Sequence, residues 1–346
     1  MNTFEVLDAS RDGDQARWLE VWSAWPHREV QAHPGYLALF ASPGDRVRAA
    51  LLQGGNGTIL YPFLQRAIPA QPDACDLTSP YGYGGPYAWG GPLEALAPQL
   101  WPQFDAWART EHVVCEFIRF AVGGVVLAPG PHLVRHRQDN IVVPTTLGDE
   151  ERWRRYEHKV RKNVNKAKRL GITITVDEDG AQLDEFLRIY EATMHRRAAR
   201  ASYFFPRSFF ERLAADLPGS FVYFHALQDG RVISTELALR SADRLYSFLG
   251  GTDEAAFDAR PNDLLKHEMF GWAHTHGIAE VVLGGGVTAG DGIYRYKRDF
   301  FPEGSVPFAT GERILDPARY AALVAQRGGE PPDPAFFPAY RAPLPG

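Results

Sequence analysis

The sequence predicts an α/β (α+β) protein of two domains, each a mixed, mainly antiparallel sheet flanked by helices. Its 346 residues are too many for one ordinary core and suit two domains of roughly 150 residues. Along both halves the apolar residues switch between helical spacing and strand-like runs, which is the pattern of alternating helices and strands. Hydrophobic residues at 45% and charged residues at 23% fit a globular chain.

In the first half, Trp18, Val21, Trp22 and Trp25 recur at helical spacing over Arg17 to Trp25. Val47 to Leu52 and Thr58 to Phe63 flank Gly54-Gly55-Asn56-Gly57, a hairpin signal. Pro92 to Glu111 reads as a helix, Val113 to Phe120 as a strand and Asp139 to Pro144 as the strand that leads out of this half. The second half opens on a helix over Glu150 to Leu170, whose apolar positions include Trp153, Tyr156, Val160 and Val164, closed by Gly171. Helices over 181–199 and 206–217 follow, then strands over 221–227, 232–240 and 244–250 joined by Asp229-Gly230 and Ser241-Ala242-Asp243. Asn262 is placed to cap a helix reaching His276, and Glu280 to Leu283 is the last strand. Beyond Gly328 the chain is rich in proline and glycine and is expected to be irregular.

Several classes of function are disfavoured. A formal charge of −5 gives no global attraction to nucleic acid or to an anionic membrane, so any such contact needs a local patch. Cys75 and Cys115 form no C-x-x-C pair, which argues against a disulfide framework or a zinc-thiolate site. His132, His136, His274 and His276 lack metal-ligand spacing. The first residues lack the basic-then-apolar pattern of a signal peptide, and no apolar run approaches the roughly 18 residues of a membrane span. A cytoplasmic protein is expected. P-loop, dinucleotide-binding and G-x-S-x-G patterns are all missing.

Five features carry chemistry. Leu283-Gly284-Gly285-Gly286 reads as a buried strand opening into a loop, followed on a helix from Asp291 by Arg295-Tyr296-Lys297-Arg298. Such a loop admits a ligand to the main chain and Lys297 supplies a mobile charge for a phosphate or oxyanion, although a tight turn carrying a surface lysine has the same pattern. The helix around Arg161 and Lys162 holds nine Lys/Arg between Arg152 and Arg169 against one interior acid, Glu157. That cationic face suits phosphates, or is a solvated surface. Asp76 precedes a loop in which Tyr81 and Tyr83 lie among glycines and prolines, a candidate for binding a polar ligand or a packed structural loop. Glu236, midway along a strand, is either a base or amine anchor or half of a buried ion pair. The helix opened by Pro261-Asn262-Asp263 offers its N–H groups to an anion, as any capped helix does.

In order and spacing these pieces resemble one family. Asp76…Ser79-Pro80-Tyr81-Gly82-Tyr83-Gly84-Gly85-Pro86, Arg161-Lys162-Asn163…Lys166-Ala167, Leu249-Gly250-Gly251-Thr252, Arg260-Pro261-Asn262-Asp263 and Gly284-Gly285-Gly286…Tyr296-Lys297 resemble the Fem-type branch of the GNAT acyltransferase superfamily. The resemblance implies two tandem GNAT-like (acyl-CoA N-acyltransferase) domains, 1–148 and 149–325, with 326–346 as a tail. It implies transfer of an aminoacyl group from aminoacyl-tRNA to an amine of a peptide or peptidoglycan precursor, with no bound cofactor. Acyl-CoA-dependent transfer to a small molecule and a non-catalytic binding module are the alternatives. The family's catalytic aromatic-lysine pair corresponds to Tyr296-Lys297, with tyrosine where phenylalanine is usual, and its acidic residue to Asp76. No heptad insertion marks the coiled-coil arm of some members, and no acyl-CoA pyrophosphate loop precedes Asn262.

Overall fold

A computed structural model of the chain describes residues 2–55, 57–286, 288, 290–328 and 333–343. It divides into two compact units, one of Met1–Trp25, Gln31–Arg137 and Phe308–Gly346, the other of Pro26–Val30 and Gln138–Pro307.

In chain order the first unit runs β1 (Thr3–Asp8), α1 (Asp12–Ala24), α2 (Pro34–Ala38), β2 (Arg46–Gly54), β3 (Gly57–Ala67), β4 (Cys75–Thr78), β5 (Tyr87–Trp89), α3 (Leu93–Thr110) and β6 (Val113–Arg119). Strands β1, β2 and β3 are antiparallel, and the β2–β3 hairpin pairs Gly54 with Gly57. Gly57 has φ +114°, and a Cβ there would lie 2.8 Å from the carbonyl oxygen of Trp89, so only glycine fits. Strand β3 is covered on both faces, by Tyr61 and Phe63 with Leu96, Leu100 and Phe104 on one side and by Leu60 and Leu64 with Trp18 and Leu37 on the other. That double cover explains its nearly unbroken apolar run. Strand β4 then pairs parallel with β6, Cys75 opposite Val113 and Thr78 opposite Phe117.

The second unit takes up most of β7 (Leu133–Pro144) and continues through α4 (Asp149–Arg155), α5 (His158–Arg169), β8 (Thr173–Asp177), α6 (Leu183–Arg196), α7 (Arg207–Asp216), β9 (Phe221–Gln228), β10 (Arg231–Arg240), β11 (Arg244–Thr252), α8 (Pro261–Thr275), β12 (Glu280–Gly284) and α9 (Gly292–Arg298). Strands β8 to β11 form an antiparallel meander. Strand β12 runs parallel to β11 only from Arg244–Tyr246 against Glu280–Val282, and β7 covers its other edge antiparallel. Each unit thus contains a parallel pair of strands bridged by a helix, β4–α3–β6 and β11–α8–β12. Such a pair opens a crevice beyond its strand ends, where ligands of α/β proteins collect.

The chain closes with β13 (Ser305–Ile314) and α10 (Pro317–Arg327). Here the architecture departs from the expected division at 148/149. The first unit gives way at residue 138, inside β7, and regains the chain at Phe308. Thr310–Ile314 pair with β6, and Leu323 packs with Ile68, Ala74 and Val114, so burial draws the end of the chain back to the first unit.

The single helix expected over 150–170 is two. Tyr156 and Glu157 are extended (ψ 142° and 148°), which separates α4 from α5. Burial causes the break: Tyr156 packs edge-on to Phe270 and Phe300, its hydroxyl meets His267 Nδ1 at 3.2 Å, and the Glu157 N–H donates to the carbonyl of Asp299. Gly171, at φ +73°, ends α5 as expected.

Candidate active site

The crevice of the second unit opens where β11 and β12 part. Gly284 turns the chain with φ +74°. Gly285 and Gly286 are glycine for a different reason, close packing. A Cβ on Gly285 would lie 2.8 Å from Gln138 Nε2 and 2.9 Å from the Asp139 carbonyl oxygen. One on Gly286 would lie 2.1 Å from Asp291 Oδ1. Asp291 caps α9 by accepting from the Tyr294 N–H at 2.8 Å and also accepts from the Thr288 N–H at 3.1 Å. Loop and helix are therefore one interlocked piece. Exchanging Gly286 for alanine must push the Asp291 cap aside and move α9. Displacements near 1 Å cost up to roughly 100-fold in rate, and loss of a helix cap costs about 0.5–2 kcal/mol, so Gly286→Ala is expected to lower turnover by about 10- to 100-fold with only that modest loss of stability, checked by kinetics and thermal unfolding side by side.

The placement of α9 brings Lys297 back onto this loop, where its Nζ donates to the Gly285 carbonyl at 2.7 Å. Burial, reinforced by the nearby cation of Lys266, lowers its pKa to about 8, with Glu236 and Asp291 pulling weakly the other way. Its neighbour Tyr296 packs edge-on to Phe300 at 5.3 Å, and its hydroxyl is buried with no hydrogen-bond partner among the described residues. Burial, with the carboxylates of Asp263, Glu236 and Asp299 nearby, keeps that phenol protonated.

Glu236 lies in the same unit but is not a base in waiting. It forms a buried ion pair with Lys266 of α8, and Lys266 Nζ also donates to Ser247 Oγ at 2.9 Å. A carboxylate in the middle of a covered strand needs a counter-charge, and α8 supplies it. Asp263 is held at the start of α8, its carboxyl raised to about 6 by burial, and accepts from Asn163 Nδ2 at 3.1 Å. Sequence reasoning passed over Lys266 and met Asn163 and Asp263 only as members of motifs, without a role of their own. Polar residues at 263 and 266, three apart among Leu264, Leu265, Met269 and Phe270, were the available signal. Asn262 is not the cap of α8. Arg260, with φ +60°, holds that position without a side-chain cap, and Asn262 is the second helical residue.

The cationic helix is less cationic than its composition suggests. Arg152 pairs with Asp149, Arg154 with Glu150, Arg155 with Glu151, Lys159 with Asp299 and Lys168 with Glu268. Among the described residues no carboxylate lies within ion-pair distance of Arg161, Lys162, Lys166 or Arg169. Arg161 instead donates to the carbonyls of Arg154 and Tyr156, bracing the break between α4 and α5. A shallow pocket of about 350 Å³ lies along this face, lined by Trp153, His158, Arg161, Lys162, Asn165 and Arg169.

Asp76, Tyr81 and Tyr83 belong to the first unit. Asp76 is fully buried, and both of its oxygens are engaged: Oδ1 by Arg66 Nε at 2.6 Å, Oδ2 by Arg341 Nε at 2.5 Å and by the Tyr340 hydroxyl at 2.7 Å. This is a structural anchor, not the base that the sequence allowed. Its arginines are partly exposed, so the cost of removing it is less than for a fully buried pair. Asp76→Ala is expected to destabilise the first unit by about 2–3 kcal/mol, read from the denaturation midpoint. Tyr81 is exposed and stacks on Phe40 at 5.5 Å, while Tyr83 sits edge-on to Phe308, its hydroxyl pushed up by burial. Among the described residues no helix is long and apolar enough to cross a membrane, and no cluster of three or more His, Cys, Asp or Glu is placed to hold a metal.

Comparison with known proteins supports the same assignment of fold. Residues 154–298 match the acetyltransferase (GNAT) domain family. A UDP-N-acetylmuramoylpentapeptide-lysine N(6)-alanyltransferase of Weissella viridescens is 26% identical over 175 residues, 49% of this chain and 50% of that protein. The match therefore spans about half the length of that relative. The crystal structure of FemX superposes with a TM-score of 0.67 at 13% identity, covering 89% of this chain and 98% of that one. The C-terminal domain (DUF2156) of a lysylphosphatidylglycerol synthetase candidate from Agrobacterium fabrum gives a TM-score of 0.55 at 13% identity, covering 91% and 96%. The mixed α/β fold is that of GNAT proteins, and the Fem-type resemblance read from the sequence is borne out.

Proposed function

We propose that this GNAT-fold, Fem-like chain is an acyltransferase that moves an aminoacyl group from aminoacyl-tRNA to an amine of a peptide or peptidoglycan precursor. The observation that carries the reading is Lys297, a half-buried ammonium held against Gly285 in the crevice of a GNAT unit. The name of the Weissella relative, an alanyltransferase acting on a muramoylpentapeptide lysine, supplies the substrate class.

In this reading the neutral acceptor amine attacks the ester carbonyl of the aminoacyl donor. A C–N bond forms, and the carbonyl oxygen takes up negative charge. Lys297 then donates either to that oxyanion or to the departing ribose oxygen as the C–O bond breaks. The proton lost by the amine replaces the one given to the leaving oxygen, so the lysine returns to its starting state. A pKa lowered to about 8 suits a group that must give and recover a proton near neutrality. Tyr296 packs against Phe300 beside it, and the Glu236–Lys266 pair holds Lys297 in an environment where its charge is finely balanced. No resident cofactor enters these steps; aminoacyl-tRNA is a co-substrate, and the reaction belongs in the cytoplasm where it is made.

Arg161, Lys162, Lys166 and Arg169 offer the phosphate-binding face for the donor. Each cation that neutralises a phosphate contributes roughly 0.7–0.9 to the salt slope of binding. Replacing Lys162 and Lys166 together by glutamine is therefore expected to raise KM for aminoacyl-tRNA and to flatten its salt dependence by about 1.5, with kcat little changed. The deciding assay offers labelled aminoacyl-tRNA and labelled acetyl-CoA separately, with nucleotide- and lipid-linked muramoylpentapeptides as acceptors. Ribonuclease-sensitive incorporation is the expected result. Incorporation from acetyl-CoA alone would move the protein to the acyl-CoA-dependent transferases, and none from either donor would leave a binding module.

A further inference from the structure

A cavity larger than the pocket along α5 lies wholly in the first unit, against β3, β4 and β6, and the proposed transfer chemistry makes no use of it. Its volume is about 950 Å³, near the upper end of small-molecule sites. Thr78 and Ser79 line it from the end of β4, and Phe117 and Arg119 from β6. Part of its remaining wall comes from the C-terminal segment, through Phe336, Phe337, Pro338, Tyr340 and Arg341.

Charge and shape define what the cavity takes. Arg66, Arg119, Arg327 and Arg341 all reach its lining, and Asp45 is the one carboxylate among the lining residues. Buried Asp76 fixes Arg66 and Arg341 in place and offsets one of their two charges. Arg119 lies with its guanidinium carbon 5.1 Å from the Phe117 ring centre, and its backbone N–H donates to Ser79 Oγ at 2.9 Å. The apolar walls are aromatic: Phe40 stacks on Tyr81, and Phe117 on Phe337. The terminal segment is tied down from both sides. Arg327 donates to the carbonyls of Ala342 and Pro343, and Tyr340 and Arg341 reach Asp76.

We propose that this cavity is a second ligand site, shaped for an organic anion, phosphate or carboxylate, with an aromatic or apolar body, and walled by the chain's own C-terminal segment. Arginines supply directional, charge-assisted hydrogen bonds to such an anion, and the rings take its body. The ligand is larger than inorganic phosphate, since most of the cavity surface is apolar ring and aliphatic wall.

Calorimetric titration of the full chain tests this with phenyl phosphate, N-acetylphenylalanine and, as the neutral control, N-acetylphenylalanine amide. Saturable binding of one or both anions, with none of the amide, is expected, and which anion binds separates the phosphate source from the carboxylate source. Loss of one charge-assisted contact weakens binding by about 10- to 100-fold, so that drop is expected in Arg119→Gln. A chain ending at Gly328 is expected to lose binding; should it fail to fold, Phe337→Ala, which leaves the Asp76 ties intact, is expected to weaken it. Lys297→Met should bind the probes as the parent does, so failure here and failure of the transfer reading are separate results. Absence of saturable binding by both anions, or binding indifferent to Arg119→Gln and to loss of the terminal segment, would overturn the proposal.

Discussion

Lys297→Met is expected to lose about 100- to 1,000-fold in kcat, the effect of removing one donor to a developing oxyanion, while remaining folded. The methionine keeps the length and apolar stem of the lysine, so the packing against the Gly285 loop is largely preserved. What disappears is the N–H that donates to the Gly285 carbonyl at rest and, in the proposed mechanism, to the substrate. The pH profile provides a second, independent reading. With a pKa lowered to about 8, Lys297 is an ammonium below that pH and a neutral amine above it. If the cation is the donor, kcat falls as pH rises through about 8, and the falling limb is missing from the residual activity of Lys297→Met. The acceptor amine must itself be neutral to attack, so the profile is measured with an acceptor whose amine is already neutral well below pH 8, and the falling limb near 8 then belongs to Lys297. Full activity in a folded Lys297→Met variant would remove the lysine from the mechanism.

Much of the second unit was legible because its signals are local. Gly284-Gly285-Gly286 after an apolar run, Asp291 before a helix and Tyr296-Lys297 within it all appear where spacing placed them. The strands β9, β10 and β11 followed from period-two patterning and from the Asp229-Gly230 turn. The errors have a common origin in long-range pairing. Thr310–Ile314 read as nothing in particular because their partner, β6, lies almost 200 residues earlier in the chain. Asp76 looked like a candidate base because Arg341 and Tyr340, which saturate it, sit in a segment whose composition suggested no structure at all. The helix break at Tyr156 was hidden because tyrosine fits the helical periodicity, and only its burial against Phe300, with the Glu157 N–H donating to the Asp299 carbonyl, shows why the chain turns there. Glu236 was recognised as needing either a partner or a function. The partner, Lys266, was itself obscured by the strongly apolar helix that carries it.

That partner carries the largest expected change in stability. The side chains of Lys266 and Glu236 are only 5% and 6% exposed, so neither charge has water to fall back on. Deleting one member of such a pair leaves the other charge stranded, at a cost of about 3–5 kcal/mol. Lys266→Met is therefore expected to lower the denaturation midpoint of the second unit sharply, whereas Lys266→Met combined with Glu236→Leu recovers most of the loss by replacing the pair with apolar volume. The same variants report on Lys297 through its charge. Removing the Lys266 cation relieves repulsion and leaves Glu236 unpaired nearby. Both changes favour protonated Lys297, and the alkaline limb of kcat moves above pH 8. Glu236→Gln does the reverse, leaving Lys266 as an unbalanced cation beside Lys297, so that limb moves below pH 8. Opposite displacements by two substitutions in one ion pair are what an electrostatic role requires; a shift in the same direction for both, or none, would reduce the pair to a structural strut.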